Sequence, residues 1–443
     1  MAGLNPGASS EGNRTAQVGG ARSRGVARNP LRLVRGFDRA VYVVAAGQFV
    51  NVLGSGIVYP FATIHFHLFL GIPLGVVGLG LLANNVATAA GTLVGGYAAD
   101  SRGRKPVIVA GMAGSAATLA AYALVTDAPG FVAVATAAGF TVGLYTPAAQ
   151  AMVADLTPGE ERDRAFGLLK VANNVGFGSG FVLGGVLYGL ARTSVFVADG
   201  VTSGVVAAVL LVALPRVRES GDGGTAAAGL ATRLRRGVGR WGRAVTRRRV
   251  FALAALNVGF AVMYAQMQAT VPVLAAERFG LAESEIGLLY VLNPLTIVLL
   301  QLPVVDRVSG WRRTRGPLVS AALWAASFVA IAASYRAGVL LGVGLVGGFL
   351  VLRTLGEILH SPLATALMSD LGSDAERGSQ LSLLEVAKRL GFGVGPVIGG
   401  AFFDAGLDRL LWPTLIAGCL AIAVGLLALE QRLAPAENAS ATA

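Results

Sequence analysis

Long apolar runs, separated by short polar segments, fill this chain from residue 41 to residue 430. A helix needs about 20 mostly apolar residues to cross a bilayer, because each residue advances it by about 1.5 Å. The pattern therefore predicts twelve membrane-spanning helices, called here spans 1 to 12, at residues 41–63, 74–99, 106–126, 130–154, 165–191, 194–214, 250–274, 284–305, 316–334, 338–368, 379–404 and 410–430.

An internal repeat divides these spans into two sets of six. Residues 155–185 recur without a gap as residues 370–400, and 15 of the 31 positions are identical. Gly176-Phe177-Gly178, for example, returns as Gly391-Phe392-Gly393. The fold class predicted is an all-α integral membrane protein built from two related six-helix bundles. This architecture is typical of secondary transporters, whose substrate site lies between the repeats.

Composition and charge agree with a membrane protein. Hydrophobic residues make up 54% of the 443, charged residues 14%, and the mean hydropathy is +0.66. If the N-terminus is cytoplasmic, the cytoplasmic segments hold 28 of the 36 Lys and Arg residues. This asymmetry predicts cytoplasmic N- and C-termini in a plasma-membrane protein. It also accounts for the net charge of +12, which we interpret as a topology signal and not as nucleic-acid binding.

The boundaries follow from the same pattern. We predict a disordered basic cytoplasmic tail at residues 1–35, an N-terminal bundle at 36–214 and a basic cytoplasmic linker at 215–249. A C-terminal bundle at 250–432 and a cytoplasmic tail at 433–443 complete the chain. The single cysteine, Cys419, excludes an intrachain disulfide.

The loop between spans 2 and 3 carries a compact charged motif. The carboxylate of Asp100 can reach the N-terminus of a neighbouring helix or an arginine in the same loop, and the glycines permit a sharp turn. The residues concerned are Gly96, Asp100, Arg102, Gly103, Arg104 and Lys105. A second, degenerate copy, Asp306-Arg307 with Gly310, Arg312 and Arg313, lies between spans 8 and 9.

This loop resembles the signature of the major facilitator superfamily, which is Gly, three residues, Asp, a basic residue, any residue, Gly, Arg, then Arg or Lys. The chain departs from it at Ser101, and Arg102 supplies the cation one position later. The resemblance covers about residues 36–432. It implies two pseudo-symmetric six-helix bundles and alternating access by rocking. It also implies that Asp100 helps to latch the outward-facing state.

Span 5 and its repeat, span 11, carry glycines on one face. Four-residue steps align them and permit close helix contact. The glycines are Gly176, Gly180 and Gly184 in span 5, and Gly391 and Gly395 in span 11, where Pro396 directly follows Gly395. The spacing resembles the superfamily's antiporter motif, although Phe181 stands where that motif has proline. The resemblance implies exchange of substrate for protons, and ordinary small-residue packing is the alternative.

Span 10 contains Arg353, Glu357 and His360 at positions i, i+4 and i+7 of one helix face. Charges inside a membrane should face the bundle interior or a water-filled cavity. Leu355-Gly356-Glu357, followed by Ser361-Pro362, also resembles the drug–proton antiporter branch. We predict that Glu357 couples transport to protons, with Arg353 and His360 beside it. The alternative is a permanent structural pair between Arg353 and Glu357.

Further polar residues complete the expected site. Glu385 and Arg389 can pair in span 11, and the repeat aligns Lys170 with Glu385, so opposite charges occupy equivalent positions. A purely structural pair is again the alternative. Spans 1, 4, 7 and 10 line the cavity in the superfamily, and the resemblance implies a substrate cavity that contains Gln48, Asn51, Tyr59, Tyr145, Asn257, Tyr264 and Gln268.

The sequence contains no phosphate-binding loop, no metal-ligand cluster and no nucleophile–base pair at credible spacing, so we expect neither a cofactor nor an enzyme. The function predicted is proton-coupled efflux of small amphipathic compounds. The expected partners are the substrate, protons and the lipid bilayer, and the chain is expected to act as a monomer. An importer or facilitator of a sugar or organic anion, and a non-transporting receptor or scaffold, are the alternatives.

Overall fold

The structure is a computed structural model that describes residues 37, 39–157, 159–214, 246–308, 310–371, 374–434 and 438. The predicted N-terminal tail lies outside the described residues. So do residues 215–245 of the predicted linker and most of the predicted C-terminal tail.

The first half of the described chain consists of six long helices. A five-residue π-helical segment, His65–Phe69, extends the first of them. Gly103, at a φ of 90°, separates the second from the third, and this backbone conformation favours glycine. The helices are α1 (Arg39–Ile64), α2 (Leu74–Arg102), α3 (Arg104–Tyr122), α4 (Ala128–Leu156), α5 (Gly159–Leu190) and α6 (Ser194–Ala213).

The second half follows the same plan with two interrupted helices. One interruption falls at Thr270, just before Pro272, and the other at Val291, just before Pro294; proline cannot donate the helical hydrogen bond. The helices are α7 (Arg248–Ala269), α8 (Val271–Phe279), α9 (Glu283–Tyr290), α10 (Leu292–Val308), α11 (Arg315–Ser334), α12 (Val339–Asp370), α13 (Asp374–Asp404) and α14 (Asp408–Glu430).

Among the described residues, nine helical segments are long and apolar enough to cross a membrane. The segments α7–α8 and α9–α10 each count once, and α3, α5 and α13 are not among the nine. These three helices are rich in small or polar residues, which lowers their hydropathy. The prediction of an all-helical membrane protein is confirmed, and the division into twelve spans stays a prediction.

Equivalent helices of the two halves pack in equivalent ways. In the first half α5 packs on α1, and in the second half α13 packs on α7. A Cβ atom on Gly180 would lie 2.3 Å from the Leu53 carbonyl oxygen, and one on Gly391 would lie 2.4 Å from the Val258 carbonyl oxygen. The glycine face therefore brings two helix backbones into direct contact in each half.

The two halves meet at one end of the molecule. We call this the Asp404 end, because α13 ends there at Asp404 where α2 begins at Leu74; the opposite end, where α2 finishes, is the Asp100 end. At the Asp404 end, α2 packs on α13 and α5 packs on α9. One continuous apolar core there includes residues of both halves, such as Phe66 and Phe279.

Toward the Asp100 end the core separates into three clusters. One contains only residues of the first half, among them Met112. The other two contain only residues of the second half, one of them with Leu367 and a smaller one with Leu359. The described part of the chain is therefore closed between its halves at the Asp404 end and divided at the Asp100 end.

Replacing Gly180 with leucine is expected to destabilise the protein. The new side chain would meet the backbone of α1, which cannot move aside as a flexible side chain can. Overpacking of this kind costs about 1–3 kcal/mol, sometimes more. Thermal unfolding in detergent should show a clearly lower midpoint. Gly189→Leu on the same helix is the matched control, because nothing lies within 4 Å of its Cβ position. Equal losses in both variants would contradict close α1–α5 packing as the cause.

Candidate functional site

A charged cluster lies at the middle of α12. Arg353 is fully buried, and its Nη2 atom lies 3.2 Å from Glu357 Oε2, one helical turn away. The hydroxyl of Tyr264, on α7, donates a hydrogen bond of 3.2 Å to Glu357 Oε1. The guanidinium of Arg353 also stacks on the Tyr264 ring, 3.7 Å from its centre. A single tyrosine thus ties both charges of α12 to α7.

Glu357 and His360 face a cavity of about 170 Å³ within the second half. The His360 ring stacks on Phe260 with the ring centres 3.9 Å apart, and its Nε2 atom has no hydrogen-bond partner among the described residues. Glu357 keeps 26% of its side chain exposed, whereas Arg353 behind it keeps 1%. The cavity is lined by Asn257, Phe260, Ala261, Tyr264, Trp324, Glu357, His360, Ser361, Lys388 and Phe392. It is an aromatic pocket with one carboxylate in its wall.

The first half contains a cavity of its own, of about 200 Å³. Beside it, Asn51 Nδ2 donates a hydrogen bond of 2.9 Å to the hydroxyl of Tyr145, which joins α1 to α4. The lining residues are Val44, Gln48, Tyr145, Thr146, Ala149, Gln150, Val153, Leu169, Lys170 and Asn173. This cavity is more polar than its counterpart; both contain a lysine, and only the counterpart contains a carboxylate.

The two cavities are related by the sequence repeat. Tyr145 and His360 are 215 residues apart, which is the offset of the repeat, and each lines the cavity of its own half. Asn173 and Lys388 show the same relation. The repeat has therefore produced two equivalent pockets whose chemistry differs, with a histidine and a carboxylate in the second half only.

Three further residues predicted to line the substrate cavity have surroundings that differ from one another. Tyr59 packs against Phe177 and Phe181, with ring centres 5.8 and 6.5 Å apart, in the aromatic core between the halves. It also lies close enough to the Arg353–Glu357 pair to interact with it electrostatically. The Gln268 carbonyl accepts a hydrogen bond of 3.1 Å from Thr63 across the halves, close to the Asp404 end. Asn257 lines the second cavity and donates to the Leu253 carbonyl of its own helix at 2.8 Å.

The charged loop motif joins helices at the Asp100 end. Arg104 Nη1 lies 2.5 Å from Asp155 Oδ2, and Lys105 Nζ donates to the carbonyl of Leu214 at 2.7 Å. In the second half, Arg313 of the degenerate motif lies 3.2 Å from Asp370. Asp155 and Asp370 are the first residues of the two repeats, so each copy of the motif is ion-paired to its own repeat.

The charges of α13 form a local pair. Glu385 Oε2 lies 3.5 Å from Lys388 Nζ, three residues later, whereas the sequence pattern pointed to Arg389, four residues later. Lys170, which the repeat aligns with Glu385, lines the first cavity.

The two copies of the glycine motif differ at one position, which is Phe181 in the first half and Pro396 in the second. Both residues lie where the two halves meet. Phe181 faces Gly287 on α9, and Pro396 faces Gly78 on α2.

Two carboxylates that sequence reasoning missed occupy notable positions. Asp404 accepts hydrogen bonds of 2.8 Å from the backbone N–H groups of both Leu74 and Gly75, across the two halves. Asp199, in α6, is 1% exposed, and its Oδ1 atom has no hydrogen-bond partner in the described part of the chain. A carboxylate inside or at the end of an apolar run was the available signal. Among the described residues, no group of three His, Cys, Asp or Glu side chains could hold a metal ion.

The architecture is that of known transporters. The crystal structure of nucleoside transporter NupG is similar to this chain with a TM-score of 0.70 at 14% identity, and the match covers 89% of this chain and 100% of that one. Long apolar helices, a repeated bundle with a polar cavity in each half and closure at one end define a multi-pass membrane transporter. More narrowly, the chain belongs to the major facilitator superfamily, whose family model matches residues 44–356.

Two relatives with named functions are similar to this chain in sequence. Multidrug resistance protein MdtH of Photorhabdus laumondii is 27% identical over 380 residues, which are 84% of this chain and 89% of MdtH. A Na(+), Li(+), K(+)/H(+) antiporter of Planococcus maritimus is 31% identical over 160 residues, which are 35% of this chain and 37% of the antiporter. These likenesses are to a multidrug resistance protein and to a proton-exchanging antiporter.

Proposed function

We propose that this protein is a secondary active transporter that exports small amphipathic cations in exchange for protons. Glu357 is the proton-coupling carboxylate, with Arg353 and His360 beside it. The observation that carries the proposal is the Glu357 carboxylate in the wall of an aromatic cavity, paired with Arg353 and hydrogen-bonded to Tyr264. The likeness to MdtH and to a proton-exchanging antiporter supports it.

The proposed architecture is twelve spans in two six-helix bundles, at residues 36–214 and 250–432, in the plasma membrane with both termini cytoplasmic. The distribution of Lys and Arg along the sequence supports this orientation. In it, the Asp404 end faces outward and the two cavities communicate with the cytoplasm. The chain acts as a monomer, and alternating access moves the closed contact from the Asp404 end to the Asp100 end, where Asp100 takes part.

The exchange follows from competition at one carboxylate. An ionised Glu357, flanked by the rings of Phe260, Tyr264 and Phe392, attracts a lipophilic cation through both charge and cation–π contact. A proton on Glu357 removes that attraction, so a proton and a cationic substrate exclude each other. Arg353, whose Nη2 atom lies 3.2 Å from Glu357 Oε2, balances the charge of the carboxylate when no substrate is present.

The alternative function is import of an organic anion. It is favoured by the buried guanidinium of Arg353, whose three nitrogens have no hydrogen-bond partner among the described residues. A carboxylate or phosphate could satisfy two of those nitrogens at once. Glu357, 3.2 Å away, repels such a ligand, and this repulsion is the reason for preferring the cation exporter.

Reconstitution in liposomes distinguishes cation export from anion import. An inward or outward pH gradient is imposed, and the internal pH is followed with a fluorescent dye while lipophilic cations, sugars and organic anions are added in turn. Proton movement that depends on a lipophilic cation, with a stoichiometry that does not vary with gradient direction, supports the proposed exchange. Flux of an anion or sugar without proton movement would overturn it in favour of the importer or facilitator.

A further inference from the structure

A second acidic side chain is buried in the membrane region of the first half. Asp199 is the only charged residue in α6, whose sequence is otherwise apolar or small. It lies five residues, or about 8 Å along the helix, from Ser194 at the Asp404 end. Its exposure of 1% is far below the 26% of the Glu357 side chain. The proposed exchange at Glu357 does not use it.

The carboxyl group lies against bare backbone. A Cβ atom on Gly54 of α1 would lie 2.1 Å from Asp199 Oδ1 and 2.7 Å from Thr202 Oγ1, so Gly54 provides the space that the carboxyl group occupies. Thr202 directs its hydroxyl to the backbone carbonyl of Asp199, at 2.9 Å, and not to the carboxyl group. Ser203, one turn further, is also fully buried and its Oγ has no hydrogen-bond partner in the described chain.

No cation balances this carboxyl group among the described residues, where no Lys, Arg or His nitrogen forms an ion pair with it. The titratable groups that face α6 are few. His65, from the π-helical segment, and Tyr122, from α3, pack on Phe196, with ring centres 5.0 and 5.7 Å apart. Lys105 of α3 reaches only the Leu214 carbonyl at the far end. Tyr145 of α4 also lies within electrostatic reach of Asp199.

Burial of an ionised carboxylate without a cation or hydrogen-bond donors is strongly unfavourable, and the group takes up a proton instead. A protonated carboxyl group, in contrast, is neutral, and its O–H can donate to a neighbouring oxygen. Ser203 Oγ, on the same face one turn away, is an acceptor without another partner among the described residues. The surroundings of Asp199 therefore suit a neutral carboxylic acid.

A route for the proton leads toward the first cavity. A small void of about 20 Å³, enough for roughly one water molecule, is bounded by Asn51 and Tyr145 and touches α6 at Val206. Val206 is three residues from Ser203. The same void shares Gln48 and Tyr145 with the first cavity. The hydrogen-bonded pair of Asn51 and Tyr145 thus stands between Asp199 and the water-accessible side.

We propose that Asp199 is a second proton-binding site, which holds a proton in this conformation and exchanges it with the first cavity past Asn51 and Tyr145. This inference deepens the proposed proton coupling and rests on it. Each half would then carry one exchangeable proton, at Glu357 in an exposed position and at Asp199 in an occluded one. The step is a relay: the carboxyl O–H group of Asp199 gives its proton to the Ser203 hydroxyl, which passes its own proton toward water in the void beside Val206. The carboxylate that remains takes up a proton again by the reverse route.

The first test compares stability with pH for wild type and Asp199→Asn. Asparagine mimics the neutral acid, so the variant should fold. Because the folded protein holds a proton that an unfolded chain releases above about pH 4, raising the pH favours unfolding. The wild-type melting temperature should therefore fall more steeply than that of Asp199→Asn as the pH rises above about 4, until the folded protein also releases the proton. Asp127→Asn, at the exposed N-cap of α4, is the control and should show no such flattening. Parallel curves for wild type and Asp199→Asn would overturn the proposal.

The second test measures protons moved per substrate in liposomes. Asp199→Asn should move fewer protons per substrate than wild type while keeping exchange at Glu357. Wild type that moves no protons would overturn the proposed exchange, and the pH–stability comparison would still decide whether Asp199 is protonated. Proton exchange in wild type with an unchanged ratio in Asp199→Asn would overturn the present inference alone.

Two further measurements separate a proton site from a sodium site and from a folding defect. If sodium chloride, but not choline chloride, raises the wild-type melting temperature at high pH and fails to do so in Asp199→Asn, the site binds sodium and the proton assignment is wrong. If Asp199→Asn does not fold, infrared spectra of wild type grown with isotope-labelled aspartate decide the question. A label-sensitive carboxylic-acid C=O band at neutral pH supports the proposal, and its absence overturns it.

Discussion

Glu357→Gln is expected to abolish substrate-dependent proton movement in reconstituted liposomes. Glutamine keeps the shape of the side chain and its hydrogen bond with Tyr264, but it cannot ionise. The competition between a proton and a cationic substrate therefore disappears. Internal pH, followed during addition of a lipophilic cation, should change no more than in protein-free liposomes, whereas binding of a neutral amphipathic compound should persist.

Stability must be separated from coupling in this experiment. The substitution leaves the buried Arg353 without its counter-charge, and breaking a buried pair costs about 3–5 kcal/mol, less here because Glu357 is partly exposed. The double variant Arg353→Met/Glu357→Gln removes the uncompensated charge and should recover the melting temperature without recovering proton movement. Recovery of both would mean that the pair is purely structural.

A matched carboxylate provides the control. Glu430 ends α14, where its Oε1 lies 3.3 Å from Arg312 Nη1, and it lies outside both cavities. Glu430→Gln should therefore keep wild-type proton exchange. If Glu357→Gln also retains exchange at the level of Glu430→Gln, Glu357 does not couple transport to protons.

Asp404→Ala is expected to shift the protein toward a conformation that is open at the Asp404 end. The Asp404 carboxylate accepts two hydrogen bonds from the first turn of α2, across the halves. Each charge-assisted bond of this kind contributes about 1.5–3 kcal/mol when buried, and less here because Asp404 is exposed. A total of roughly 1.5–3 kcal/mol corresponds to a population shift of about tenfold to hundredfold.

Spin labels can report this shift directly. In a Cys419→Ala background, which removes the only native cysteine, labels at Leu190 and Leu340 report the distance between the halves at the Asp404 end. Both positions are highly exposed, at 79% and 90%. Pulsed electron paramagnetic resonance should show a larger fraction of long distances between the labels in Asp404→Ala than in the wild-type protein.

Asp408→Ala is the matched control at the same end of the molecule. Asp408 accepts a hydrogen bond of 2.7 Å from the hydroxyl of Tyr335, and both residues belong to the second half. Its removal should leave the distance between the halves unchanged. A distance distribution of Asp404→Ala that matches the Asp408→Ala distribution would exclude Asp404 as a contact that holds this end closed.

Much of the helical architecture could be read from local signals. Apolar runs long enough to cross a bilayer predicted the helices, because backbone N–H and C=O groups without hydrogen-bond partners are too costly in the hydrocarbon core. The repeat of residues 155–185 led to the expectation of equivalent halves, and the structure packs α5 on α1 as it packs α13 on α7. Spacing of four residues along α12 likewise put Arg353 and Glu357 on one face, since i and i+4 are neighbours on a helix.

Contacts between helices were beyond the reach of those signals. The sequence could not reveal that Tyr264 holds both charges of α12, or that Glu385 meets Lys388 instead of Arg389, because side-chain rotamers and neighbouring helices choose among partners at similar spacing. Tyr59 and Gln268 were expected in the cavity from their helices alone. The structure shows where each one packs: Tyr59 lies in the aromatic core between the halves, within electrostatic reach of Glu357, and Gln268 lies near the Asp404 end.

By itself, then, the sequence determined that the chain is helical, embedded in a membrane and internally duplicated, because these properties depend on hydrophobic length and on local repetition. Only the tertiary structure decided which end of the molecule is closed, through contacts such as Asp404 with the start of α2. It alone also showed that Asp199 is occluded without a cation among the described residues. Both features depend on which helices face each other across the bundle, and the residue pattern along one helix does not specify which helices those are.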